Sequence, residues 1–228
     1  MGPADVKYSA PVDFLPPPSV LKAVSKALAV LDMIAEPDPR FRYYSYHPAW
    51  GPAEDLASMQ NGSGDEYSIV FLDDGAAYAR GFDHESPVSP WDNDGDLWPG
   101  LIDGLAERFV KYVREPAFGC DGIPDMTVCL WTESDVAGSW EHGSVPPPGG
   151  PGDQSGAETL FFLVSRPEPG QYRAWASSYY GIDIDTAAVA DIYASRPLDQ
   201  ELVSRINPGR MLSEMLDELR QAGYPVLE

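Results

Sequence analysis

Basic residues are scarce in this chain of 228 residues. Only 15 lysines and arginines stand against 36 aspartates and glutamates, which gives a formal net charge of -21 at pH 7. A field of this sign repels phosphate backbones and anionic lipid surfaces. The composition therefore argues against binding to nucleic acid or to a membrane surface, and it favours a basic protein, a metal ion or no partner at all.

Long apolar runs are also missing, since none approaches the roughly 20 residues that span a bilayer. The first residues lack the basic and then apolar pattern of a secretory signal, so we expect a cytoplasmic protein. Only Cys120 and Cys129 are available for a disulfide, and we expect both thiols to be reduced in that compartment. No feature of the sequence indicates the oligomeric state.

Hydrophobic residues make up 43% of the chain and aromatic residues 11%, which predicts a folded protein and not a disordered one. We expect one continuous domain over residues 1–228. A proline- and glycine-rich loop at 144–156, centred on Pro146 to Gly152, interrupts its second half.

The periodicity of the first half predicts a helix and a β-hairpin. Apolar residues recur at helical spacing from Val20 to Ile34. Glu66 to Leu72 and Ala76 to Phe82 suit two strands joined by an Asp-Asp-Gly turn. Further predicted elements are a strand over Phe41 to Tyr46, a brief helix from Pro52 to Met59, a long polar loop from Asp83 to Pro99 and a helix from Leu101 to Val113.

The second half predicts more strands and then helices. Met126 to Trp131 is typical of a strand, and the region of Trp140 is expected beside it. The apolar run Thr159 to Val164 indicates a buried strand that pairs with Tyr172 to Ala176. Three helical segments follow between Val189 and Leu219. Together these elements predict an α+β fold, with a mixed or antiparallel sheet with hairpins packed against several helices and a helical C-terminus.

No catalytic set, metal site or cofactor site is predicted. The three histidines, His47, His84 and His142, lie in separate segments without the short spacing of a zinc site. Asp92-Asn93-Asp94-Gly95-Asp96 alternates oxygen ligands as calcium loops do, but it lacks the glycine and glutamate positions of an EF-hand. We interpret it as a solvated loop.

Acidic residues are concentrated near the hairpin. Between Asp65 and Asp103 there are ten acidic residues and one basic residue, Arg80. If the hairpin turn and the following loop project together, their field attracts a basic protein, and Trp91 and Trp98 are candidate anchors. The predicted partner-binding residues are Asp73, Asp74, Asp83, Glu85, Trp91, Asp92, Asp94 and Asp96. The alternative is a soluble edge with no partner.

The hairpin resembles the SUKH superfamily, which includes bacterial immunity proteins that neutralise toxins. The similar residues are Asn61-Gly62-Ser63-Gly64-Asp65-Glu66-Tyr67-Ser68-Ile69-Val70-Phe71, Gly75 and Gly81-Phe82-Asp83-His84-Glu85, together with Phe109 and the Phe14-Leu15-Pro16 opening. The resemblance covers residues 14–118, so residues 1–118 are the SUKH-like half and 119–228 an α+β extension. It implies an α+β fold and a binding role without catalysis.

Two hypotheses follow. The first is a non-catalytic acidic protein-binding module, of the immunity type, that neutralises a basic bacterial toxin. The alternative is a metal-dependent enzyme that uses the Asp/His/Glu-rich loop 83–96, because that loop concentrates oxygen and nitrogen ligands.

Overall fold

The computed structural model describes residues 15–144 and 154–227 and has an α+β fold, as predicted. Its strands are β1 (Tyr44–Gly51), β2 (Glu54–Gln60), β3 (Glu66–Leu72), β4 (Ala77–Phe82), β5 (Gly119–Cys120), β6 (Ile123–Pro124), β7 (Val128–Thr132) and β8 (Glu141–His142). Its α-helices are α1 (Pro18–Ala35), α2 (Val110–Val113), α3 (Ala157–Leu160), α4 (Phe162–Ser165), α5 (Pro169–Tyr180), α6 (Thr186–Tyr193), α7 (Gln200–Ile206) and α8 (Leu216–Gln221).

Six strands form one antiparallel sheet in the order β1-β2-β3-β4-β7-β8, and β5 and β6 form a separate ribbon. The predicted hairpin is confirmed, with Glu66 opposite Phe82 and Phe71 opposite Ala77. The strand near Trp131 and its neighbour after Trp140 are confirmed as β7 and β8. Within the described residues, no helix combines the length and apolarity that crossing a bilayer requires.

Each face of the sheet is covered by its own apolar layer. On one face, α1 and the helices after residue 154 pack against Tyr67, Ile69 and Phe71 of β3. On the other face, the segment between β4 and β7 packs against Val70 and Tyr78. The alternation of side chains along β3 produces this division. Because both faces are covered, the loop between β4 and β7 is part of the core of the fold.

Four predicted elements are wrong. Residues Pro52 to Met59 are not a helix, because β2 bonds to β1 and β3 along its length and the sheet outweighs local helix propensity. Leu101 to Val113 is helical only in α2 and in the 3-10 turn before it. Gly104 has a φ of 78°, which breaks the helical conformation before Glu107, so the helical part starts late.

The predicted strands Thr159 to Val164 and Tyr172 to Ala176 are helices α3, α4 and α5. A short apolar run is equally typical of a buried helix. Pro169 lies in the first turn of α5, where its missing N–H costs nothing. The predicted helical C-terminus is confirmed by α6, α7 and α8, whereas Pro146 to Gly152 lies outside the described residues.

Candidate functional site

The loop after β4 is held firmly against the sheet. The backbone N–H of Asp83 donates to Thr127 Oγ1 at 3.1 Å, and Ser86 Oγ donates to the carbonyl of Gln154 at 2.6 Å. Val88 and Pro90 are buried beneath the loop. These contacts fix the position of the first half of the loop, and thereby the point at which the residues that follow begin.

Trp91 is fixed in position and yet half exposed. It lies in a 3-10 turn, Pro90–Asp92, that Ser89 caps by accepting the Trp91 backbone N–H. Its indole Nε1 donates to Asp125 Oδ1 at 2.7 Å, and 49% of the residue is exposed. A hydrogen bond holds the ring in place while part of its surface faces solvent.

Asp92, Asp94 and Asp96 are exposed beside this tryptophan. Asp94 and Gly95 have φ of 54° and 84°, and Asn93 Nδ2 closes the turn by donating to the Asp96 carbonyl at 2.9 Å. Across residues 15–144 and 154–227, these three carboxylates form no ion pair and do not converge as metal ligands. Their turn is therefore an exposed anionic surface without the convergence of a calcium loop.

Asp73 and Asp74 lie away from this surface, which corrects the expectation that the hairpin turn and the loop project together. They occupy the β3–β4 turn, whereas Asp83 follows the opposite end of β4. Six strand residues separate the two ends by roughly 20 Å. Asp74 is paired with Arg108 Nη2 at 2.6 Å, and this hydrogen bond lowers the pKa of its carboxyl.

Asp83 has a different role from the exposed aspartates, whereas Glu85 resembles them. Asp83 is half-buried and its Oδ1 accepts the backbone N–H of Glu85 at 3.0 Å. Burial raises the pKa of Asp83, despite that hydrogen bond. Glu85 is exposed. Asp83 therefore shapes the start of the loop, and Glu85 belongs with the exposed carboxylates. We define the acidic surface as Glu85, Trp91, Asp92, Asp94 and Asp96.

A second polar cluster joins Asp65, Asp83 and His84. Asp65 Oδ1 accepts the His84 backbone N–H at 3.1 Å and lies 2.6 Å from His84 Nδ1. The carboxylate raises the pKa of His84 through this hydrogen bond. One ligand atom from each of the three residues lies within 4.8 Å of the others, which is the arrangement of a possible cation site.

Sequence reasoning missed Asp65 as a member of this cluster. The register of the β3–β4 hairpin could have placed Asp65 in the cluster, because Glu66 pairs with Phe82 across the hairpin. The residues that flank this pair, Asp65 and Asp83, are therefore neighbours at the same end of the sheet. The loop residues Glu85 and Asp92 to Asp96 are not part of the cluster.

A comparison of this chain with protein-family models, with curated proteins and with solved structures found no significant match.

Proposed function

We propose that this chain is a non-catalytic, cytoplasmic protein-binding module of the immunity type, and that its acidic surface binds a basic protein such as a toxin domain. The observation that carries the proposal is a fixed, half-exposed tryptophan, Trp91, followed in the chain by three exposed carboxylates that form no ion pair within residues 15–144 and 154–227. Direct charge attraction and a desolvated aromatic anchor are the two contributions that a specific protein interface combines.

The first contribution is electrostatic. Residues 81–107 contain no lysine or arginine, but seven acidic residues, Asp83, Glu85, Asp92, Asp94, Asp96, Asp103 and Glu107. In the part of the chain that the structure describes, eleven basic side chains outside this segment are engaged in ion pairs. Uncompensated charge of one sign accelerates association with a partner of the other sign, in a manner that salt weakens.

The second contribution comes from Trp91. Tryptophan is among the residues that dominate binding energy at protein interfaces, and it is the best aromatic partner for an arginine or lysine. The bond from its indole to Asp125 fixes the ring before binding, which reduces the entropy that association costs. The resemblance to the SUKH superfamily supports the immunity type of this binding role.

Affinity capture from a lysate of the source organism, at low and high salt, tests the proposal. The test variants are Asp92→Asn/Asp94→Asn/Asp96→Asn and Trp91→Ala. The matched control, Asp73→Asn/Glu133→Gln/Glu141→Gln, removes the same charge from exposed positions outside the acidic surface.

We expect the wild type and the control to retain the same basic protein at low salt and the triple test variant to lose it. Trp91→Ala is expected to weaken binding by about tenfold or more. Equal retention by the test and control triples contradicts the proposal. Thermal melting of each variant checks that the fold is intact.

The alternative proposal, a metal-dependent enzyme, is favoured by one observation, the proximity of Asp65, Asp83 and His84. Carboxylate and imidazole ligands suit zinc and manganese. Calorimetric titration of the protein with Zn²⁺ and Mn²⁺ discriminates the two proposals. Stoichiometric binding that Asp65→Asn abolishes supports the metal site, and no binding by the wild type rejects it.

A further inference from the structure

An indole ring and a carboxylate lie side by side at the acidic surface. The indole Nε1 of Trp91 donates to Asp125 Oδ1 at 2.7 Å, so the carboxylate lies at the edge of the ring. A hydrogen bond at this edge leaves the faces of the indole clear of the carboxylate. Because 49% of Trp91 is exposed, a ligand in solution meets an aromatic ring with a negative charge beside it.

No other ring covers this tryptophan. In the part of the chain that the structure describes, neither a second aromatic ring nor a cationic side chain lies against the Trp91 indole. Trp175 is different, since its ring centroid lies 4.9 Å from that of Tyr43 and 5.5 Å from that of Tyr179. Trp91 is thus a tryptophan that the fold holds in position without using its ring to pack other rings.

The charge of Asp125 lacks a cationic partner. Asp125 is half-buried, and burial raises the pKa of its carboxyl, although the hydrogen bond from Trp91 opposes that rise. The buried guanidinium of Arg80 donates to the main-chain carbonyl of Asp125 and to Glu66. Within residues 15–144 and 154–227, Asp125 takes part in no ion pair. A cation that reaches this carboxylate stabilises its charged form.

The same combination of ring and carboxylate holds cations elsewhere in this protein. Three basic side chains each lie over an aromatic ring and pair with a carboxylate, namely Arg80, Arg108 and Lys111. Arg108, for example, has its guanidinium carbon 5.6 Å from the centroid of Phe109 and its Nη2 2.6 Å from Asp74. Trp91 and Asp125 provide the ring and the carboxylate of such an arrangement at an exposed position.

Carboxylates on two segments flank the ring. Asp92 follows Trp91 in the chain and is exposed, whereas Asp125 directly follows β6. The two segments are in contact, because a Cβ on Gly95 would lie 3.3 Å from Ile123 Cδ1. A cation at the ring is therefore within reach of carboxylates from both segments.

Arginine matches this arrangement better than lysine does. A guanidinium is planar, stacks on an aromatic face, and has five N–H donors that can bond to carboxylates while it is stacked. The ammonium of lysine is a compact and strongly hydrated charge with no plane to stack. Tryptophan is also the aromatic residue that attracts a cation most strongly.

We propose that Trp91 and Asp125 form a receptor for an arginine side chain, with the guanidinium stacked on the indole and hydrogen-bonded to the Asp125 carboxylate. This inference rests on the proposed function, because the arginine belongs to the basic protein that the acidic surface binds. Asp125 has two roles in this arrangement, since it fixes the ring and contacts the arginine.

Hexa-arginine and hexa-lysine are the probes that test the receptor. They have the same length and the same charge, so the field of the acidic surface attracts both. Calorimetric titration of the full chain is expected to show at least about fivefold tighter binding of hexa-arginine. Equal affinity for the two peptides overturns the receptor, and so does the absence of hexa-arginine binding.

Two substitutions locate the preference for arginine. Trp91→Ala removes the ring, and Asp125→Asn removes the charge but keeps an oxygen that accepts the indole N–H. Each is expected to reduce the preference to less than about twofold. The matched controls are Phe162→Ala, at an exposed ring elsewhere, and Asp73→Asn, at an exposed aspartate elsewhere, and both should leave the preference unchanged. A preference that survives both Trp91→Ala and Asp125→Asn overturns the receptor.

The variant Asp92→Asn/Asp94→Asn/Asp96→Asn separates this inference from the proposed function. It is expected to weaken both peptides to a similar extent and to leave the preference for arginine in place, since it removes long-range attraction and retains the receptor. If this variant changes neither affinity while Trp91→Ala and Asp125→Asn abolish the preference, the receptor is supported and the acidic surface is contradicted. If this variant weakens both peptides while Trp91→Ala and Asp125→Asn leave the preference intact, the acidic surface is supported and the receptor is overturned.

Discussion

Replacing Asp32 by asparagine is expected to remove a pH dependence of folding stability. Asp32 lies in α1, is fully buried, and accepts four hydrogen bonds. The backbone N–H groups of Tyr43 and Tyr44 and the hydroxyl of Tyr180 donate to Oδ2, at 2.9, 2.9 and 2.8 Å, and the hydroxyl of Tyr172 donates to Oδ1 at 2.9 Å. One carboxylate therefore ties α1 to β1 and α5.

The size of this pH dependence of stability follows from the pKa of the Asp32 carboxyl. Burial raises the pKa of Asp32 from 3.8 to about 6, although the four hydrogen bonds oppose that change. A raised folded-state pKa means that the native protein binds the proton more tightly than the unfolded chain does. The resulting stabilisation is complete below the unfolded pKa and is lost as the pH rises through the folded pKa. The full loss is about 3 kcal/mol, of which roughly 2 kcal/mol falls between pH 4.5 and 7.5.

Asparagine does not titrate and has the same shape. Its carboxamide oxygen can take the Oδ2 position and accept the two backbone N–H groups, and its NH₂ can donate to the hydroxyl of Tyr172. The folded geometry is thus preserved. The free energy of unfolding of Asp32→Asn, minus that of the wild type, should then rise by roughly 2 kcal/mol from pH 4.5 to 7.5.

Urea denaturation followed by circular dichroism at four pH values across this range measures that difference. Asp73→Asn, at an exposed position, removes one charge without touching the buried network, and it controls for the change in net charge. A difference between Asp32→Asn and wild type that stays constant with pH, or that falls as pH rises, refutes the reasoning.

Three further predictions concern separate parts of the chain. Ellman's reagent should react with Cys120, which is exposed, and spare Cys129 until urea is added, because Cys129 is buried and burial raises its pKa to about 12; two fast thiols in the native protein would contradict this. Asp65→Asn should lower the pKa of His84 in an NMR titration, since the carboxylate hydrogen bond raises it, and an unchanged pKa would be the opposing result. Gly156→Ala should destabilise the fold by about 1–3 kcal/mol in urea denaturation, because Gly156 has a φ of 81° and a Cβ there overlaps with the side chain of Asp83. Unchanged stability would contradict this.

Local sequence patterns are sufficient to predict the elements that do not depend on pairing with distant parts of the chain. The helical period from Val20 to Ile34 and the turn after Leu72 each determine their structure locally, and α1 and the β3–β4 hairpin are where the sequence predicts them. The chemistry of a turn and a regular period are short-range signals. The α+β class follows from these elements and the helical C-terminus.

Contacts between distant parts of the chain explain the wrong predictions for β2 and for the run from Thr159. Nothing local to β2 shows that it lies between two strands, and its Glu-Asp-Leu sequence is compatible with a helix. The apolar run from Thr159 fits a strand or a buried helix equally well. The packing of α4 and α1 in one apolar cluster, which brings together residues more than 120 positions apart, decides between them.

The sequence indicates where acidic charge is concentrated, and the role of these residues in binding stays a prediction. Trp91 and Asp92 to Asp96 were identified from composition, and the structure leaves these side chains largely exposed. The separation of Asp73 from this surface could not be predicted from composition. It depends on strand direction, because the turn that holds Asp73 lies at the other end of β4. The contact of Asp65 with His84 depends on the β3–β4 register, which the acidic composition does not show.

The decisive measurement is the binding of the captured partner to Asp92→Asn/Asp94→Asn/Asp96→Asn, compared with its binding to the control Asp73→Asn/Glu133→Gln/Glu141→Gln. We expect the test variant to associate more slowly and to bind more weakly at low salt, and we expect the difference to shrink as salt is added. Identical association rates for the two variants would contradict the claim that the acidic surface beside Trp91 is the site of protein binding.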